Sequence, residues 1–184
     1  MTSEADRQRL LSIARLALTA HVTGAPMPEK DAHDVLLRPA GAFVSLHLRG
    51  DLRGCIGHVE VSEPLGRVVA RCAVQAGTSD PRFPAVTPAE LADIDIEISI
   101  LGPLESISTL EHIEIGRHGL VVELGWRRGL LLPQVATEWQ WNRETFLAQT
   151  CHKAGLPLDA WKTGALIWRF DAEVFGENSP RRVK

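Results

Sequence analysis

Residues 94–100 read Ile94-Asp-Ile-Glu-Ile-Ser-Ile100, four isoleucines alternating with Asp95, Glu97 and Ser99. Successive side chains on a strand point to opposite faces, so this run specifies a β-strand with one core face. The other face carries two carboxylates and a hydroxyl. Phe43 to Leu48 has strand composition as well, Arg49-Gly50-Asp51 is a turn signal, and Leu52 to Val59 is the return strand of a hairpin. A second hairpin is signalled by Gly119–Leu124 and Leu130–Leu132 around Gly125-Trp126-Arg127-Arg128-Gly129. Ala165 to Phe175 alternates once more, with Leu166, Trp168 and Phe170 on one face.

Helical segments separate these strands. Ser3 caps a run in which Leu10, Ile13, Ala14, Ala17 and His21 recur at helical spacing, and Gly24 with Pro26 stops it. Ser62-Glu63-Pro64 starts a second helix whose apolar face is Leu65, Val68, Val69, Cys72, Ala73 and Ala76. Residues 24–39 and 77–84 read as loops, and Thr87-Pro88-Ala89-Glu90 has capping-box spacing for a short helix. Asn142 caps a last helix running to about Ala154, with Gly155 at its stop. Strand pairs on short turns, interrupted by single helices, predict an α+β fold with a mostly antiparallel sheet and packed helices. The regular strand–helix alternation of a doubly wound fold is absent.

Composition narrows the function. The length of 184 residues predicts one domain over 1–184, with 1–3 and 179–184 as flexible ends. A net charge of −3, with dispersed arginines and no basic–aromatic platform, argues against nucleic acid. No apolar run approaches the roughly 20 residues that span a bilayer, and the N-terminus opens an amphipathic helix where a leader would be apolar. Cys55, Cys72 and Cys151 form no C-x-x-C pair, which suits a reducing, cytoplasmic setting and excludes a zinc ribbon. P-loop, G-x-G-x-x-G, H-E-x-x-H and G-x-S-x-G patterns are all missing, so no cofactor or metal is expected. Asp31-Ala32-His33-Asp34 reads as a solvated loop, with metal ligation as the alternative.

Two segments do not fit plain structural roles. In Leu52-Arg53-Gly54-Cys55-Ile56-Gly57-His58, glycines flank a cysteine inside a strand, where glycine normally weakens packing. Arg53 precedes the thiol, and nearby positive charge lowers a cysteine pKa. Alternation puts Arg53 and Cys55 on one face, with Gly54 and Ile56 on the other. Cys55 is therefore either a reactive thiol, with His58, Asp80 or His152 as possible bases, or a buried cysteine beside a bulge. In Ser79-Asp80-Pro81-Arg82-Phe83-Pro84, the turn holds an Arg against a carboxylate, either as a structural clamp or as an anion site. Cys72 reads as a packed hydrophobe, and Cys151 as structural.

These segments resemble the AMMECR1 family nearly end to end. The resemblance is carried by Gly41-Ala-Phe-Val-Ser-Leu46, Leu52-Arg-Gly-Cys-Ile-Gly57, Asp80-Pro-Arg-Phe83 and Glu97-Ile-Ser99. It continues through Arg128-Gly-Leu-Leu-Leu-Pro-Gln-Val-Ala136, Lys153-Ala-Gly-Leu156 with Trp161, and Glu173-Val-Phe-Gly-Glu177. It implies an AMMECR1-like fold of a larger and a smaller intertwined subdomain. His58 stands where the family pattern leads one to expect a small hydroxyl residue. The resemblance further implies the company of a Memo-like protein and a radical-SAM enzyme but delivers no reaction. The Gly-Cys-x-Gly hairpin, Arg53 and the carboxylates of Asp80, Glu97 and Glu173 point to an enzyme or enzyme component acting with them. Cys55, Arg53 and Asp80 are then the candidate catalytic residues, with Gly54, Gly57, Arg82, Glu97 and Glu173 as candidate binding residues. The alternative is a non-catalytic accessory domain that recognises a protein partner or small ligand. In it Cys55 is structural, and Trp126 with Arg127 at the second hairpin tip forms the interface.

Overall fold

The computed structural model describes residues 2–26, 38–59 and 62–178. The Asp31–Asp34 string and the 179–184 tail lie outside them, so nothing is said of either. The described residues form two compact units: one holds those up to Leu101 and Glu173–Asn178, the other Gly102–Ala172. The chain thus leaves the first unit and returns to it, which makes the two intertwined in sequence.

In the first unit, α1 (Glu4–Thr23) begins at Ser3, whose hydroxyl accepts the Asp6 N–H. Strand β1 (Ala42–Leu48) pairs antiparallel with β2 (Asp51–His58) on one side and β3 (Ile94–Leu101) on the other. The turn between β1 and β2 has Arg49 at φ 51° and Gly50 at φ 101°, the twist that a two-residue hairpin prefers. Helix α2 (Leu65–Thr78) and α1 pack on one face of the sheet. Val44, Leu46, Ile96 and Ile98 meet Leu10, Leu18, Val68 and Val69 there, all buried. Each such side chain contributes about 1.5–3 kcal/mol on removal from water, which is what holds the strands in phase.

Two local expectations change. Ser62 makes no cap: the residue at the start of α2 is Pro64, with no side-chain cap bond. The helix also runs on through Gly77 to Thr78, because its buried face continues past Ala76, so the following loop begins later than its breakers suggest.

The second unit contains β4 (Glu105–Ile107), β5 (His118–Leu124), β6 (Arg127–Leu131), α3 (Pro133–Glu138), α4 (Arg143–Lys153) and most of β7 (Leu166–Gly176). Strand β7 pairs antiparallel with β4 and β5, and β5 pairs with β6. Asn142 caps α4 by accepting the Thr145 N–H. The core here is Leu120, Val122, Phe146, Leu147, Cys151 and Ile167. The β7 face expected to be apolar is divided: Phe170 is buried while Leu166 is exposed, and Ile167 of the opposite face enters this core. Neither β4 nor α3 has a periodic signal long enough to read, being three and six residues. No described helix is long and apolar enough to cross a membrane.

Candidate functional site

The first unit's sheet has its helices on one face, and the other face is polar. Which residues of β2 reach it is decided by a bulge. Counting back from the turn pairs His47 with Leu52, but the next pair is Leu46 with Gly54. Arg53 is the extra residue. Directly opposed residues share a face, so without the bulge Gly54 would sit opposite Ser45. With it, Ser45 lies opposite Cys55 on β2 and opposite Glu97 on β3. Cys55, Ser45 and Glu97 therefore form one row across three strands, with neighbouring Cβ atoms about 4.5–5.5 Å apart.

The Ser45 hydroxyl donates to Cys55 Sγ at 3.2 Å. The Cys55 N–H, on the outer edge of the sheet, donates to Asp80 Oδ2 at 2.9 Å. That same carboxylate grips Arg82 through Nε at 3.0 Å and Nη2 at 2.7 Å, and also accepts the Arg82 N–H. The Asp80 side chain is only 2% exposed whereas that of Arg82 is 52% exposed. The Arg82 fork, with the backbone donors behind it, holds the Asp80 carboxyl well below the usual carboxylate range. Burial pushes the Cys55 thiol up; the Ser45 bond and the Arg82 charge oppose this, while Asp80 and Glu97 add to it. At rest the thiol is protonated.

Arg53 does not serve Cys55. Its Nε and Nη2 bond Glu90, at 2.8 and 3.3 Å, and its other donors take the Pro84 and Ala85 carbonyls. It ties the edge strand to the segment before β3, and its hydrogen bonds, with the Thr87 N–H next, bring the Glu90 carboxyl down to about 2. The cation beside the thiol is Arg82 instead. Gly54 turns to the helix face: a Cβ there would stand 2.0 Å from the Ala76 carbonyl oxygen. Gly57 lies beneath the Phe43 ring, with a hypothetical Cβ 2.2 Å from it. Both glycines are therefore packing requirements. Glu173 is held by Arg7 and by the Thr2 N–H and hydroxyl, a clamp on α1.

His58 sits opposite Ala42, on the helix side, and its Nε2 meets Gln75 Oε1 at 3.2 Å. That face is the wrong one for a base acting on Cys55. Cys72 and Cys151 are fully buried, and burial pushes the Cys72 thiol up to about 11. No group of three or more potential metal ligands occurs among the described residues. Ser45 is the residue that sequence reasoning overlooked, since its place opposite Cys55 depends on the bulge. In the second unit, Trp126 is 87% exposed at the β5–β6 tip, with the Arg127 guanidinium 5.3 Å from its ring centre.

A two-unit α+β protein with a thiol on the polar face of an antiparallel sheet is the class these features define. The chain belongs to the AMMECR1 family, whose model matches residues 11–175. It is 46% identical over 186 residues to a protein of Methanothermobacter thermautotrophicus, covering 96% of each chain. It is 44% identical to a protein of Methanocaldococcus jannaschii, over 91% of this chain and 88% of that one. An uncharacterized protein from Pyrococcus horikoshii, PH0010, has a crystal structure that superimposes with TM-score 0.87 at 39% identity. The alignment covers 94% of this chain and 92% of that one.

Proposed function

We propose that the chain is an enzyme component whose reacting group is Cys55, acting together with a Memo-like protein and a radical-SAM enzyme. The carrying observation is the contrast between Cys55 and the other thiols. Cys72 and Cys151 are packed as hydrophobes, whereas Cys55 is partly exposed, accepts a bond from Ser45 and is fixed at its N–H by Asp80. The partnership rests on family membership. With its pKa raised, the thiol starts protonated at neutral pH. As sulfur bonds an electrophilic carbon, the S–H proton passes to solvent water and the carbon's leaving group departs with its electron pair. The Ser45 hydroxyl, which donates to Sγ, and the nearby Arg82 charge support the negative charge that develops on sulfur as the proton departs.

Site-resolved alkylation with iodoacetamide across pH, read by mass spectrometry, tests this. Cys55 is expected to react in the folded protein with an apparent pKa above its ordinary 9.0. Cys72 and Cys151 are expected to react only on unfolding. Reaction of Cys55 only after unfolding overturns the proposal.

One observation favours a second reading, a recognition domain in which Cys55 is structural: Trp126 stands almost wholly in solvent with Arg127 stacked on it, and both residue types are enriched at interface hot spots. Trp126→Ala with Arg127→Ala would then abolish co-purification with a Memo-like or radical-SAM protein. Unchanged co-purification removes the support.

A further inference from the structure

We infer that Arg82 is the anion-recognition residue of the Cys55 site, and that the molecule taken there carries a carboxylate. This deepens the reading of Cys55 as the reacting group and rests on it for the identity of the substrate. The argument starts from restraint. A surface arginine ordinarily samples many rotamers, and ordering it to meet a ligand costs entropy. Arg82 is already ordered: its Nε and Nη2 bond both oxygens of a buried carboxylate, and its guanidinium lies 5.3 Å from the Phe83 ring centre. Asp80 uses one edge of the planar group. Nη1 takes no part in those bonds, and the side chain as a whole is half exposed; the Nη1–Nη2 edge of a guanidinium is a fork that matches a carboxylate.

Position supplies the second part. Asp80 Oδ2 accepts from both Arg82 Nη2 and the Cys55 N–H, at 2.7 and 2.9 Å. One oxygen atom thus links the guanidinium to the backbone of the reacting residue, and the geometry is set before any ligand arrives. The remaining charges orient the guest. Glu97 lies on the far side of Ser45 from Cys55, whereas Arg82 is tied to the Cys55 backbone through Asp80, so an anionic group is drawn to the Arg82 side. Because Asp80 already neutralises much of the Arg82 charge, a singly charged planar oxyanion fits better than a phosphate dianion. The substrate class is a small carboxylate with an electrophilic carbon within reach of Sγ.

The test compares two reagents that differ in charge. Cys55 is alkylated with iodoacetate and with iodoacetamide in the full chain, and the rate ratio is taken in wild type, Arg82→Lys and Arg82→Gln. The ratio is expected to fall roughly threefold in Arg82→Gln, the size of effect given by one half-exposed charge. Loss of the Arg82 charge also raises the thiol pKa and slows both reagents alike, which the ratio cancels. Arg82→Lys, which keeps a charge on Asp80 and so protects the fold, should fall between them. Raising the salt should lower the wild-type ratio. An unchanged ratio in a folded variant overturns the inference. If Cys55 reacts with neither reagent, the proposed function fails, and the anion site is judged by NMR alone. There, sodium acetate should move the Arg82 Nε–H and Cys55 N–H resonances of wild type, with sodium chloride as control and sodium phosphate acting more weakly. No acetate-specific shift overturns it.

Discussion

The two faces of the β1–β2–β3 sheet are built from the same strands and differ in what their residues need. On the helix face, Val44, Leu46, Ile96 and Ile98 are fully buried and need only shape. On the other, Ser45 and Ser99 are nearly as buried but polar, and Ser45 meets a thiol. Apolar burial stabilises without direction, so the helix face tolerates exchange at constant volume. A buried polar group is stable only with its partner in place, so the polar face depends on register. The contrast teaches that one side of the sheet is held by shape alone and the other by the exact pairing of polar groups.

The largest test of that contrast is at the glycines. Gly54→Ala drives a Cβ into the Ala76 carbonyl of α2, and should cost about 3 kcal/mol or more, a main-chain clash with no side chain free to yield. Gly57→Ala meets only the Phe43 ring and should cost less. Urea unfolding followed by circular dichroism decides the order, and equal losses would break the comparison. Tryptophan fluorescence serves as the second probe, because all five tryptophans lie between Trp126 and Trp168, in the second unit.

Next in size is truncation. Ile98→Ala should lose about 2–5 kcal/mol, since Ile98 is wholly buried. Asp80→Ala should lose about 1–3 kcal/mol, by stranding the Cys55 N–H and releasing Arg82. Comparing their urea midpoints shows how far polar anchoring matches apolar packing.

A smaller effect is expected with pH, and its sign is fixed by the direction of each shift. Asp80 has a lowered pKa in the folded state, so its contribution is complete above the ordinary carboxylate value and is lost as pH falls through the folded one. His118, in the second unit, is also lowered, first by burial and then by Arg169; Arg117 acts the same way, and Asp171 and Glu114 oppose. Its Nδ1 accepts the Glu114 N–H at 2.9 Å, a bond the neutral ring alone can make. Its contribution is complete above the ordinary 6.5 and lost on acidification below it. The urea midpoint should therefore drop between about pH 7.5 and about pH 5, and His118→Gln should reduce that drop. The smallest effect is Ser45→Ala. Removing the donor to Sγ should raise the Cys55 pKa further and slow iodoacetamide at neutral pH without moving the urea midpoint much.

Much of the architecture was legible in the chain. The Ile94–Ile100 alternation, the Arg49-Gly50-Asp51 turn, the Ser3 and Asn142 caps and the α2 apolar face each became the element they specify. The elements that escaped, β4 and α3, are too short to show a period. At the site, Cys55, Asp80 and Arg82 were legible as candidates and came together, whereas Arg53 was assigned the wrong partner. Adjacency in sequence placed it beside the thiol; the bulge and Glu90 took it elsewhere.

The sequence by itself determined the longer strands and helices and the apolar side of β3 and α2, because a period of two or 3.6 is a local property of the backbone. Tertiary structure decided the phase of β2 past Arg53, which carboxylate each arginine holds, and that Ser45 faces Cys55. Those outcomes depend on register across strands and on charges meeting through space. A single extra residue in the ladder reverses every facing beyond it, and no local pattern records where the partner strand stands.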